Sequence, residues 1–281
     1  MARFWSGKDK KTGSSKKTVK LAKKNRYQLV PSNYQHIGDR DNQEDSFAIS
    51  DLHDEELVKK HGVLALVADG MGGLSFGEEA SRVAAQVFLQ ESLPEEPGES
   101  PPARLHRALL RANAAVYDCA YRGGNEIDLG TTLVATLVCK SEMHWISAGD
   151  SRIYHYRKGF LTQLNREHTY KNQLLDKVDN GLLTREEADN HPEGAYLTSF
   201  LGLPSLSEID QSNKPLQLQA GDHILLCSDG LTNTMTDDEI TYYFKENEHI
   251  SAEELVNQAL SKRQPYQDNI TVVILSCNFT D

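Results

Sequence analysis

The chain has 281 residues, 38% of them hydrophobic and 25% charged, and a formal net charge of −11, a composition that suits a folded domain with a sizeable core. No run of about 18 apolar residues occurs and no apolar signal-type segment opens the chain, so a cytoplasmic location is expected and a membrane span is not. Residues 1–26 hold ten of the 30 Lys and Arg against one acid, Asp9, which leaves 20 basic and 40 acidic residues in the remainder. A body with that imbalance repels polyanions and disfavours nucleic acid as a partner.

The Lys-, Ser- and Gly-rich segment 1–26 reads as a flexible basic arm, followed by one domain over 27–281. A solvated tail is the plainer account of the arm, and contact with an anionic surface is the alternative its charge suits. Beyond it, aliphatic and β-branched runs predict strands at Gly62–Ala68, Thr132–Cys139, His144–Ala148, Ile153–Arg157, His223–Ser228 and Ile270–Cys277. Helical spacing of apolar residues predicts amphipathic helices over Glu78–Ser92 and Ala103–Arg122, with the Pro- and Glu-rich stretch Leu93–Pro102 as a loop between them. The spacing Thr184-x-x-Glu187 predicts a capped short helix ending near His191–Pro192. Strands in close succession, with helices grouped in pairs, argue for antiparallel sheets covered by helices. Neither a GxGxxG nor a Walker motif opens a helix. The four cysteines form no CxxC pair, so they read as reduced, buried small side chains and not as zinc ligands.

Acidic residues gather at the strand boundaries. Glu44 and Asp45 lie in RDNQEDSFAI, Asp69 follows LALVA and opens DGMGG, Asp229 follows ILLCS and opens DGL, and Asp268 precedes ITVVIL. One Asp-Gly after a strand ordinarily marks a turn, with glycine supplying a positive φ or space beside a ligand. Two such pairs, with further carboxylates at strand ends, point to hard divalent cations, which would relieve the mutual repulsion of the acids.

The order of Arg40-x-x-x-Glu44-Asp45, Asp69-Gly70-Met71-Gly72-Gly73, Gly130-Thr131-Thr132, Gly149-Asp150-Ser151-Arg152, Ser228-Asp229-Gly230 and Asp268-Asn269 resembles the bacterial form of the type 2C, metal-dependent serine/threonine protein phosphatases. The resemblance covers roughly residues 34–277 and implies an α+β fold, an αββα sandwich of two antiparallel sheets flanked by helices. It implies two Mn²⁺ or Mg²⁺ ions, with a third more weakly held. By the same resemblance Asp69 would bridge the pair, the Gly70 carbonyl would join one ion, and Asp229 and Asp268 would hold the other. Glu44 and Asp45 would bind metal-bound waters, Asp128 and Asp150 would serve the third ion, and Arg40 would grip the substrate phosphate. The segment 171–191 resembles the variable flap beside the site. Hydrolysis of phosphoserine and phosphothreonine in proteins by a water between the two cations would follow, with a kinase acting on the same targets as an implied partner. Many eukaryotic relatives carry a histidine where Met71 stands, so the proton donor would be a metal-bound water, with His191, His36 or His168 as weaker candidates. The competing readings are an inactive phosphatase-fold module that binds phosphoproteins, a relative acting on small molecules or an anti-sigma antagonist, and a metal-dependent nuclease, which the acidic body disfavours.

Overall fold

The unbroken apolar runs of the sequence become strands that are buried on both faces. The computed structural model describes residues 27–72, 76–93, 98–121, 129–247 and 249–279. The basic arm 1–26, Gly73 and Asp128 lie outside the described residues.

In chain order the elements of the first half are β1 (Tyr27–His36), β2 (Asp45–Ile49), α1 (Glu55–His61), β3 (Val63–Gly72), α2 (Phe76–Glu91), α3 (Pro101–Ala120), β4 (Leu129–Thr131), β5 (Leu133–Cys139) and β6 (Glu142–Ala148). The second half contains β7 (Arg152–Arg157), β8 (Phe160–Gln163), α4 (Tyr170–Asp179), α5 (Arg185–Asp189), β9 (Asp210–Gln211), β10 (Leu216–Gln217), β11 (Asp222–Cys227), α6 (Asp229–Thr232), α7 (Asp237–Glu246), α8 (Ala252–Ser261) and β12 (Ile270–Phe279). Among the described residues the strands form two sheets. One runs β1-β12-β11-β7-β8, and the other runs β10-β6-β5-β3-β2 with β4 and β9 attached. All pairings between these strands are antiparallel.

Side chains alternate across a strand with period two, and here each face has its own core. Val63, Ala65 and Val67 of β3 meet Ile224 and Leu226 of β11 and Val273 and Leu275 of β12 between the sheets. The intervening Leu64 and Leu66 face outward onto α2 and α3, where they join Ala84, Phe88, Leu105 and Leu109. Leu225, Val272 and Ile274 face the other way and pack under α7 and α8 with Ile240, Phe244 and Leu255. The result is helix, sheet, sheet, helix: the αββα sandwich.

Several local expectations are corrected. The loop 93–102 is shorter than expected, because Pro101 and Pro102 open α3 behind the Ser100 cap. Proline costs little at the first helical positions, where its missing N–H has no partner to lose. The pair α7 and α8 was not expected; each has only ten residues, and acidic residues fill their first turns. Strand β1 was also missed. Its sequence, YQLVPSNYQH, is polar and contains Pro31, which an edge strand tolerates. The short helix α5 has the predicted cap: Thr184 accepts from the Glu187 N–H, and the Glu187 carboxylate accepts from the Thr184 N–H.

Candidate metal centre

The acidic residues converge at one end of the seam between the two sheets. Asp45 and Asp69 are direct partners in the β2–β3 register. Asp229 follows the end of β11, Asp268 precedes β12, and Asp150 lies between β6 and β7. Because β6 and β7 belong to different sheets, the Gly149–Ser151 link crosses from one sheet of the sandwich to the other.

Neither Asp-Gly pair is a turn. β3 continues through Asp69 to Gly72, changing partners so that Gly70 and Met71 pair with Thr131 and Gly130 of β4. Asp229 and Gly230 open the short helix α6. Both glycines are required for closeness. A Cβ on Gly70 would stand 2.1 Å from the Gly77 carbonyl oxygen and 2.5 Å from that of Glu44, and one on Gly230 would stand 2.0 Å from that of Asn269. These contacts lie well inside van der Waals distance, so the backbones beside both acids approach in a way only glycine allows.

Asp45 is fixed by two hydroxyls: Ser228 Oγ and Thr271 Oγ1 donate to its Oδ2 at 2.8 and 2.7 Å. Its other oxygen, Oδ1, is buried and meets no hydrogen-bond partner among the described residues. The Asp69 carbonyl accepts from Thr131 Oγ1 (2.9 Å) and the Thr132 N–H (2.8 Å), while the Asp69 N–H donates to Thr132 Oγ1. Thr132 Oγ1 in turn meets Ser151 Oγ at 2.7 Å. Asn269 clasps the segment bearing Arg40 and Glu44. Its Nδ2 donates to the Ile37 and Asn42 carbonyls, and its Oδ1 accepts from the Glu44 N–H at 2.7 Å. Sequence reasoning gave no role to Ser228, Thr271, Thr132, Ser151 or Asn269. The available signal was polarity inside or beside otherwise apolar strands, most plainly Thr271 in ITVVIL.

The electrostatics are those of an under-neutralised acidic cluster. Burial, then repulsion from Asp45, Asp229, Asp150 and Asp268, raises the Asp69 pKa well above the carboxylate range. Burial dominates at Asp45 and Asp150 as well, and each is pushed up to about 7. Asp229 and Glu44 are also raised, first by burial. Arg40 is the cation at the rim, donating from Nη2 to Asp268 Oδ2 at 2.6 Å, with its side chain 54% exposed. Asp268 Oδ1 accepts from the Asn269 N–H, and Asp229 Oδ2 accepts from Asn233. Among the described residues, no three His, Cys, Asp or Glu side chains are already gathered as a metal-ligand group.

The donor set nevertheless fits hard divalent cations. It is all oxygen, it is half-buried or deeper, it carries more negative charge than its surroundings offset, and it includes the unpartnered Asp45 Oδ1. The histidines have other engagements. His168 is buried, with its basicity lowered by that burial, and its Nδ1 accepts from the Gly149 N–H. His36 Nδ1 accepts from the Gly38 N–H, and His191 stands edge-on to Tyr170.

Residues 33–263 match the family model for protein phosphatase 2C. The chain belongs to the protein phosphatase 2C family. It is 34% identical over 225 residues to the serine/threonine protein phosphatase PstP of Mycobacterium tuberculosis, a match covering 79% of this chain and 42% of PstP. The phosphatase 2C chain therefore spans less than half the length of that relative. It is 32% identical over 225 residues to the serine/threonine phosphatase stp of Listeria welshimeri, covering 78% of this chain and 86% of stp. The solved catalytic domain of PstP in complex with two manganese ions shares its fold with a TM-score of 0.69 at 31% identity, covering 90% of this chain and 99% of that domain. Among the described residues of this phosphatase 2C chain, no helix is long and apolar enough to cross a membrane.

Proposed function

We propose that this chain is a metal-dependent protein phosphatase that hydrolyses phosphoserine and phosphothreonine in proteins. The observation carrying the reading is a cluster of mutually repelling carboxylates, buried Asp45 with half-buried Asp69, Asp150 and Asp229, and the exposed guanidinium of Arg40 at its rim. In this reading Asp69 would serve both cations, the Gly70 carbonyl would join one of them, and Asp229 and Asp268 would hold the other. Glu44 and Asp45 would hold waters of the cations, Asp150 with Asp128 would serve a third, weaker position, and Mn²⁺ or Mg²⁺ would suit the pair. Bound there, such cations supply an activated water for attack and positive charge to offset the phosphoryl oxygens.

The chain's own groups do the rest. Thr131 and Thr132 hold the Asp69 backbone, Ser228 and Thr271 aim Asp45, and Asn269 keeps the Arg40 segment against the site. Arg40 presents a planar fork of donors that matches two phosphate oxygens. Replacing Arg40 by alanine is expected to raise KM and lower kcat for a phosphothreonine peptide, because the guanidinium contacts ground state and transition state alike. Arg40→Lys should recover only part of the loss. Unaltered kcat/KM in Arg40→Ala would place the phosphate elsewhere.

Filled acidic positions speak against the inactive phosphoprotein-binding module. The substrates in this reading are cytoplasmic phosphoproteins, and a serine/threonine kinase modifying the same proteins completes a signalling pair. Proteins whose phosphorylation rises on loss of this chain would identify the substrates. For the basic arm, the surplus of Lys and Arg over residues 1–26 supports contact with an anionic surface. Full-length protein should sediment with anionic vesicles at low salt and come off as ionic strength rises, and protein lacking 1–26 should not bind. Equal binding by both forms would remove that role.

A further inference from the structure

Among the described residues, four other than glycine adopt a positive φ: Lys140, Lys158, Arg263 and Tyr266. Three have a local reason. Lys140 and Lys158 sit in the tight β5–β6 and β7–β8 hairpins, where left-handed residues match the strand twist. Arg263 follows the last turn of α8 and donates its N–H to the Leu260 carbonyl, as left-handed residues do beyond helix ends.

Tyr266, at φ 59, stands in a turn whose left-handed position ordinarily excludes so large a side chain. It follows Pro265 in Gln264–Pro265–Tyr266–Gln267, and proline followed by a left-handed residue is the arrangement of a type II turn. Glycine or asparagine ordinarily takes that third position. An aromatic residue there carries backbone strain. Packing does not offset it, since Tyr266 is 92% exposed, the highest value among the described large hydrophobic residues.

The turn is tied to the rim of the site. The Gln267 N–H donates to Asp39 Oδ2 at 2.9 Å, and the Asp39 N–H donates to the Gln267 carbonyl at 2.8 Å. Tyr266 precedes one member of this reciprocal pair and Arg40 follows the other. Buried Gln267 is held from beneath, its Oε1 accepting from Thr234 Oγ1 at 2.9 Å. The backbone bearing Tyr266 is thus anchored against the segment that bears Arg40, the group assigned to phosphate.

The geometry points to Tyr266 as a specificity-determining residue that contacts the peptide flanking the phosphorylated side chain while Arg40 holds the phosphate. A tyrosine offers a large amphipathic face with few rotatable bonds, so it orders a peptide at small entropic cost. A phosphate ester without flanking peptide cannot use that face. This inference rests on the phosphatase reading, and two substrates separate the two ideas.

The test compares Tyr266→Gly and Tyr266→Phe with the unaltered full-length protein at saturating Mn²⁺. The readout is the ratio of kcat/KM for a phosphothreonine peptide to that for p-nitrophenyl phosphate. Tyr266→Gly should lower the ratio about tenfold, the kinetic equivalent of one aromatic contact, and Tyr266→Phe should stay within about twofold. The thermal midpoint of Tyr266→Gly should hold or rise, since glycine relieves the left-handed strain. An unchanged ratio in Tyr266→Gly, or an equal loss on both substrates, would overturn the assignment. Failure of the unaltered protein to turn over either substrate would instead overturn the phosphatase reading, and this inference with it.

Discussion

Asp69→Asn is expected to lose about a thousandfold or more in turnover of a phosphothreonine peptide and yet to unfold at a higher temperature than the unaltered protein when both are held in chelator. The two effects have one origin. Asp69 is buried among Asp45, Asp229, Asp150 and Asp268, and both burial and repulsion oppose its ionisation. A carboxylate kept in such a place destabilises the metal-free fold, and each pKa unit of upward shift corresponds to about 1.4 kcal/mol. The amide is nearly the same shape and carries no charge. A relief of about 1–2 kcal/mol would lift the midpoint by roughly 2–8 °C in a domain of this size. With cations present the order should reverse, because the unaltered protein gains binding energy that the variant has lost. Near-normal turnover by Asp69→Asn would sink the assignment of the centre. A lower midpoint in chelator would show that Asp69 stabilises the metal-free fold.

Asp222→Asn is expected to have the opposite profile, costing about 3 kcal/mol of stability at neutral pH while leaving activity per folded molecule intact. Asp222 opens β11, at the end of that strand away from Asp229. Its side chain is fully buried and bound on both oxygens by Arg157, from Nε at 2.7 Å and Nη2 at 2.6 Å, with the Gln219 N–H as a third donor at 2.7 Å. Although burial opposes it, the sum of the Arg157, His155 and Gln219 contacts pulls the Asp222 pKa below the ordinary carboxylate range. A carboxyl group depressed on folding contributes its full stability above its unfolded pKa, near 3.9, and loses it as pH falls through the folded value. The gap between the two proteins in urea midpoint should therefore be full at pH 7 and narrow in acid. A gap that persists undiminished in acid would mean that shape, and not the ion pair, sets the cost.

The sandwich was legible because both sheets are covered on both faces. That forces continuous aliphatic runs such as GVLALVA and ITVVIL, which period-two reading then divides between two cores. Elements with a solvent-facing side left weaker traces, so β1, α4, α7 and α8 were missed. The acids of the centre were legible as residue types, but their backbone setting was not. Asp69-Gly70 reads as a turn in any local rule, and only the approach of Gly77 and Glu44 explains why glycine stands there inside a strand. The supports of Asp45 were out of reach for a similar reason. Ser228 and Thr271 lie more than 180 positions away along the chain and meet it only once the sheets have packed.

The seam itself has a mechanical consequence. Asp45 and Asp69 belong to one sheet, whereas Asp229 and Asp268 flank strands of the other, and Ser228 and Thr271 reach across to Asp45. The centre is therefore a latch between two leaves, open to wear from either side. Whatever bridges these carboxylates rivets the leaves at one end, while their aliphatic filling grips the remainder. Prying the sandwich apart at that end and emptying the centre become a single event, so the amides of β2 and of the Asp229 and Asp268 segments should open to solvent together, ahead of the interior of β11 and β12.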